Sequence, residues 1–316
     1  MISLRGVSKS YRSLLGSDVL AVSDVTLDVA AGEVVGIAGP NGAGKTTIIA
    51  MLLGFLRPTS GTVAIDGIDP RAYVERRGIA YLPELMALSR AWTVNHALRR
   101  LATLDGVPAD QRDAEVDRVI ETLEISEHRG KRIKALSKGN FQRVGLAQAL
   151  LSEHDVVVFD EPTHGLDPVW TQRFRTVVAG LRHPRRAIVI ASHNLDELER
   201  VADRVAIIDR GRLQRVVTMR GSGEPGERVY RVRVAGNPAA LLDAIPGATV
   251  VGALELELPL MTVADLNNGL QRALAAGVQV TALAPKESVL EAEFHAAVGR
   301  SVRVVDAVPA GRGGER

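Results

Sequence analysis

The chain has 316 residues, enough for one large domain with a full core and a small second one. Basic and acidic residues nearly cancel, 39 against 37, and the arginines are scattered rather than gathered into a basic face, which argues against a nucleic-acid partner. The absence of cysteine excludes disulfides and thiolate metal sites; no apolar run approaches the roughly 20 residues of a bilayer span, and the N-terminus lacks a signal-peptide core, so a soluble, cytoplasmic protein is expected.

In chain order, the first two-thirds alternate apolar runs with turns and amphipathic stretches, the βαβ pattern of an α/β sheet covered by helices. VLAVSDVTLDV (19–29) alternates like an early antiparallel strand. GEVVGIAG (32–39) reads as a buried strand, followed at once by a glycine loop and the helix KTTIIAMLLGFL; GTVAIDG (61–67) reads as a further strand. Residues 93–125 carry a helical pattern with a Gly-Val-Pro break at 106–108. LSKGNFQRV (136–144) looks like a helix start with Ser137 as cap and Gly139 open to close approach, a place where free N–H groups and the positive dipole end meet an anion. DVVVFDE (155–161) and AIVIAS (187–192) are short continuous apolar runs, as expected of central strands buried on both faces. RVAIIDRGRL (204–213) reads as a late strand and turn.

Residues 220–228 shift to glycine, charge and proline, a linker signature that closes a first domain over 1–219. Beyond it the expected order is strand 229–235, helix 238–244, strands 248–252 and 254–259, helix 263–276 and strand 278–283. That β-α-β-β-α-β order is ferredoxin-like and predicts a small α+β domain over 229–300, ending in a helix near 286–298. Residues 301–316 are expected to be disordered.

GPNGAGKTT (39–47) fits the phosphate-loop pattern G-x-x-x-x-G-K-[ST] and lies between a predicted strand and a predicted helix, the context that the pattern requires. Gly39, Gly42 and Gly44 let the backbone wrap phosphates, Lys45 reaches the terminal phosphates, and Thr46 offers a hydroxyl to Mg²⁺. VVVFDEP (156–162) puts two carboxylates where a buried strand ends. Asp160 is placed to hold Mg²⁺ and Glu161 to polarise an attacking water.

Together these residues resemble the nucleotide-binding subunit of an ATP-binding cassette (ABC) transporter over roughly residues 1–215. The resemblance implies a P-loop NTPase fold with a helical subdomain at about 85–150, ATP contacts along Gly39, Pro40, Asn41, Gly42, Ala43, Gly44, Lys45, Thr46 and Thr47, and catalysis by Lys45, Glu161 and His193. LSKGN (136–140) is similar to the family's signature loop, which implies that Ser137 and Gly139 close over ATP held by a second subunit in a head-to-tail homodimer. Tyr11 resembles the aromatic residue that stacks on adenine, HGLDP (164–168) implies that Asp167 ties the two subunits together, and His193 resembles the switch histidine at the γ-phosphate. The implied role is ATP hydrolysis that drives transport through separate membrane-spanning subunits, with this chain peripheral at the inner face of the cell membrane. Residues 222–300 resemble the C-terminal accessory domain of the family's exporter branch, which implies the export direction. The region around 93–135 is the expected docking surface.

Three positions depart from the family pattern. Glu84 stands for the usual glutamine between the subdomains and adds a candidate Mg²⁺ ligand; Lys138 and Asn140 replace glycine and glutamine in the signature. Lys138 adds an ammonium expected near the γ-phosphate, and Asn140 a shorter amide. Two rival readings are an ABC-type ATPase acting on DNA or ribosomes and a module that binds ATP without hydrolysing it. The first lacks the long insertion, zinc module or second cassette of those branches; Glu161 and His193 speak against the second.

Overall fold

A computed structural model describes residues 1–12, 16, 18–219, 229–235, 238–286 and 288–305. The linker expected at 220–228 and the last residues, 306–316, lie outside the described residues. Contacts divide the chain into two compact units, one drawn from residues 1–220 and 293–316, the other from 221–292.

The first unit begins with β1 (Ile2–Arg12) and β2 (Asp18–Val29), an antiparallel pair joined on the other side of β1 by β4 (Ser60–Ile65) in the order β2-β1-β4. The second sheet holds β3 (Val34–Ala38), β5 (Ala80–Leu82), β6 (Val156–Asp160), β7 (Ala187–Ser192), β8 (Arg204–Asp209) and β9 (Arg212–Thr218), ordered β5-β6-β7-β3-β8-β9. Its first five strands are parallel, and β9 turns back antiparallel to β8. Every residue of β3, β6 and β7 is buried, which is why these strands read as unbroken apolar runs.

Helix α1 (Lys45–Leu52) buries Ile48, Ile49, Met51 and Leu52 in the core that the two sheets share. Fully burying such side chains contributes about 1.5–3 kcal/mol each. α2 (Pro70–Arg77) starts on the cap Asp69 with Pro70 in its first turn. α3 (Val94–Leu104) and α4 (Arg112–Thr122) flank the Gly-Val-Pro break, and α5 (Lys138–Ala149) follows two short 3₁₀ turns. α6 (Pro168–Leu181) and α7 (Leu195–Val201) leave the ends of β6 and β7, capped by Asp167 and Asn194.

The second unit contains β10 (Tyr230–Ala235), α8 (Ala239–Ala244), β11 (Thr249–Gly252), β12 (Glu255–Glu257), α9 (Val263–Ala275) and β13 (Gln279–Pro285). Its antiparallel sheet runs β11-β12-β10-β13, the ferredoxin-like arrangement, over a core that includes Val232, Leu241, Leu256 and Leu266. Helix α10 (Val289–Val305) corrects one expectation: it carries on through residues 301–305, where disorder is expected from the sequence. Those five residues hold neither glycine nor proline, so no backbone breaker ends the helix there. No helix among the described residues is long and apolar enough to cross a membrane.

Candidate functional site

The parallel strands end level with one another: Ala38 pairs with Ser192, Asp160 with Ala191, and Leu82 with Phe159. The chain therefore delivers Gly39, Glu161, His193 and, two residues past β5, Glu84 to one edge of the sheet. Carboxyl edges of this kind are where open α/β sheets hold ligands.

The phosphate loop lies against β8, so closely that a Cβ on Gly39 would stand 2.4 Å from the Ile208 carbonyl oxygen. Gly42 adopts φ 80° and a Cβ there would meet nothing within 4 Å, so the loop curls around open space on its outer side. Ala43 is buried and its carbonyl accepts from the Gly211 N–H at 2.9 Å, while Pro40 is half-buried and Asn41 is exposed. Gly44 opens α1 in a left-handed conformation with no side-chain cap, leaving the first N–H groups around Thr46 and Thr47 for an anion.

Lys45 is 7 % exposed; its Nζ donates to the Gly39 carbonyl at 2.7 Å and lies 3.6 Å from Glu161 Oε1. Glu161 is itself buried and has φ 50°, a conformation rare for a non-glycine residue that costs about 1–3 kcal/mol. That turn aims its carboxylate back across the sheet edge, where Oε2 accepts from His193 Nδ1 at 2.7 Å. A carboxylate can only accept, so Nδ1 carries the proton and Nε2 is left for another group. Lys45, Glu161 and His193, drawn from α1 and from the ends of β6 and β7, thus form one connected set.

Asp160 is buried to 1 % exposure and neither carboxylate oxygen has a hydrogen-bond partner. Burial first, then the charges of Glu84 and Glu161, push its pKa up to about 6, against the opposing pull of the Thr46 side chain and Lys45. No group of three or more His, Cys, Asp or Glu able to hold a metal occurs among the described residues. The unpartnered Asp160, the Thr46 hydroxyl and the exposed Glu84 nonetheless suit Mg²⁺, which takes one or two carboxylates and completes its shell with phosphates and water. The pKa shifts carry a prediction for the nucleotide-free protein. Asp160 at about 6 and Glu197, raised to about 7 mainly by burial, bind protons more tightly folded than unfolded. These two groups therefore contribute stability that is lost as pH rises from about 4 through 7. Thermal melts in chelator across this range check it, and Asp160→Asn should remove the lower part of the slope.

The other expected residues lie apart from this set. Ser137 caps α5, its Oγ accepting from the Asn140 N–H at 3.2 Å, and it is exposed. Gly139 lies against the Gly165 carbonyl, which a Cβ would approach to 3.2 Å, and Asp167 caps α6 by accepting from the Trp170 N–H at 2.9 Å. Among the described residues no hydrogen bond or ion pair joins 136–140 to the phosphate loop 39–47. Tyr11, 40 % exposed, is the last residue but one of β1, with the Lys9 ammonium 5.6 Å from its ring centroid. The Lys138 stem packs over Gly165. The Asn140 amide is committed within its own chain, to His128 Nε2 at 2.6 Å and to Arg143 at 2.9 Å. Sequence reasoning missed Gln142, whose amide donates to the Pro162 carbonyl at 2.9 Å and so grips the turn after Glu161. Its only signal is a buried polar residue in a helix.

Comparison with known proteins decides the family. Residues 22–164 match the ABC transporter family. The ABC transporter ATP-binding protein YdbJ of Bacillus subtilis, itself uncharacterised, is 30 % identical over 283 residues, covering 86 % of this chain and 89 % of that protein. The chain belongs to the ABC transporter ATP-binding proteins. The Nod factor export ATP-binding protein I of Mesorhizobium japonicum is 33 % identical over 67 % of the chain, and the methionine import ATP-binding protein MetN of Caulobacter vibrioides 37 % identical over 67 %. The chain spans 61 % and 65 % of the length of those two relatives. A solved ATP-binding subunit of an ABC transporter superposes with a TM-score of 0.62 at 27 % identity, covering 69 % of this chain and 90 % of that one. The first unit is thus an ABC cassette, a fold of ATP-binding ATPases.

Proposed function

We propose that this cassette hydrolyses ATP as a head-to-tail homodimer and drives export through separate membrane-spanning subunits, docked at the inner face of the cell membrane. The observation that carries the hydrolytic reading is the buried Lys45–Glu161–His193 set beside the unpartnered Asp160. In that reading Lys45 leaves Glu161 for the β- and γ-phosphates, and Glu161 orients the attacking water and accepts its proton. His193 Nε2 faces the γ-phosphate and donates to it when the ring carries a proton on both nitrogens, and the phosphate-loop N–H groups neutralise charge that develops on its oxygens. When bound, Mg²⁺ supplies further neutralisation at the phosphates, held by Asp160, Thr46 and Glu84. Tyr11 stacks on the adenine.

The dimeric reading is supported by the exposed Ser137 and the half-buried Gly139, which have no hydrogen bond or ion pair to their own phosphate loop, and by the packing of Gly139 against Gly165, two residues before Asp167. The docking surface we assign to the helices α3 and α4. The export direction rests on the family branch that carries a C-terminal α+β domain and on the similarity to a Nod factor export protein; the methionine import relative shows that cassette similarity by itself is neutral on direction. Phosphate release by the purified chain tests the core of the proposal. Release should require both ATP and Mg²⁺, stop with chelator, and vanish in Lys45→Ala, which also loses ATP affinity. A wild-type chain that releases no phosphate, or a Lys45→Ala chain that matches it, contradicts the proposal.

A further inference from the structure

Glu161 works only from a strained turn, and something must hold that turn. Its N–H donates to the Ala191 carbonyl at 2.8 Å, and the turn closes on itself through His164 N–H to the Glu161 carbonyl at 3.1 Å and Leu166 N–H to the Thr163 carbonyl at 2.9 Å. From the α5 side, Gln142 grips the Pro162 carbonyl. From the opposite side comes a group that the hydrolytic scheme leaves unused. Glu197, on α7 one turn beyond His193, is fully buried, and its Oε2 accepts a hydrogen bond from the Thr163 hydroxyl. Its Oε1 has no hydrogen-bond partner.

We propose that Glu197 is a positioning residue for ATP hydrolysis, which through Thr163 locks the Glu161–Thr163 turn to helix α7 so that base and switch histidine keep one geometry. The inference rests on the hydrolytic reading above. Burying a carboxyl with one oxygen unpartnered costs stability, and a neutral residue of similar size would pack α7 more cheaply. What the carboxyl adds is an acceptor at the one point where the turn offers a hydroxyl. The charges that face it come from three elements: Arg175 on α6, Asp196 on α7 and Glu161 at the end of β6. Asp196 is engaged with Arg175 and Arg200, so α7 is itself anchored and can serve as the fixed side of the lock. His193 leads into the same helix through the cap Asn194. One hydrogen bond therefore spans the two segments that deliver the base and its histidine partner. Misplacing a reacting group by about 1 Å is enough to cost about 100-fold in rate.

The test compares Glu197→Ala, Glu197→Gln and Thr163→Val in the full chain, measuring kcat, KM for Mg-ATP and equilibrium ATP binding. Glu197→Ala and Thr163→Val should each lower kcat by about 10- to 100-fold with KM and ATP affinity within about twofold of wild type. The double variant should be no slower than the worse single one, because both remove the same bond. Glu197→Gln keeps an acceptor for the hydroxyl and should restore most of kcat. Thr163→Val, nearly the same in shape, keeps the test open should Glu197→Ala fold poorly. Turnover near wild type in Thr163→Val, multiplying effects in the double variant, or a Glu197→Gln as slow as Glu197→Ala would each overturn the role. A wild-type chain without turnover would instead overturn the hydrolytic reading beneath it.

Discussion

Glu161→Gln is expected to lower ATP turnover by about 10²- to 10⁴-fold, the range that a positioned general base contributes. ATP binding should survive and tighten. In the nucleotide-free geometry the Glu161 carboxylate lies 3.6 Å from Lys45 Nζ and competes with phosphates for that ammonium. Removing the charge removes the competitor while the amide oxygen still accepts from His193. The effect should thus fall almost entirely on kcat, seen by phosphate release and by equilibrium binding on the same sample. Wild-type turnover in Glu161→Gln would show that another group activates the water. Loss of ATP binding would show that the carboxylate holds the loop together rather than serving the reaction.

Much of this site is legible in the sequence because each part needs few residues in a fixed local context. A glycine loop between strand and helix, and an Asp-Glu pair closing an apolar run, announce both their chemistry and their place at the strand ends. The central strands are legible for the same reason: buried on both faces, they carry no polar interruptions. The order of the C-terminal unit follows from plain strand and helix patterns and agrees with the observed sheet. Elements with mixed patterns escape notice. β1, half-exposed along much of its length, α2 with its run of charged residues, and α7, only seven residues long and mostly charged, show no clean periodicity. The partners that hold the turn after Glu161 are also hidden. Gln142 and Glu197 are 19 and 36 residues away, and only tertiary contact gives a buried glutamine or glutamate a purpose. Asn140 is a further case. The sequence shows only that its amide is shorter than the usual glutamine's, whereas the fold gives that amide its partners, His128 and Arg143.

Ser137→Arg carries the second large expected effect. Ser137 is exposed and its side chain only caps α5, so the substitution costs the cap, about 1 kcal/mol, and leaves the fold standing. ATP binding to the isolated chain should be close to wild type, since no bond links the signature to its own phosphate loop. Dimerisation on ATP, followed by sedimentation or sizing in the Glu161→Gln background, should be abolished. An arginine cannot fit where a hydroxyl and a glycine backbone must close over phosphate, and turnover should fall to background with it. Normal dimerisation would remove Ser137 from the interface, and lost ATP affinity in the monomer would place the signature in its own chain's site.

The most direct test of the two-chain site is a mixture of Ser137→Arg and Lys45→Ala chains, both carrying Glu161→Gln so that bound ATP is not consumed. A mixed dimer then has one site with native Lys45 facing native Ser137 and one site with both lesions. The measurement is the ATP retained per mixed dimer, isolated with different tags on the two chains. If each signature loop serves its partner's nucleotide, roughly one ATP is retained per mixed dimer, although neither variant forms an ATP-bound dimer alone. If the signature serves its own chain, each protomer is defective and no ATP is retained, which would contradict the head-to-tail arrangement.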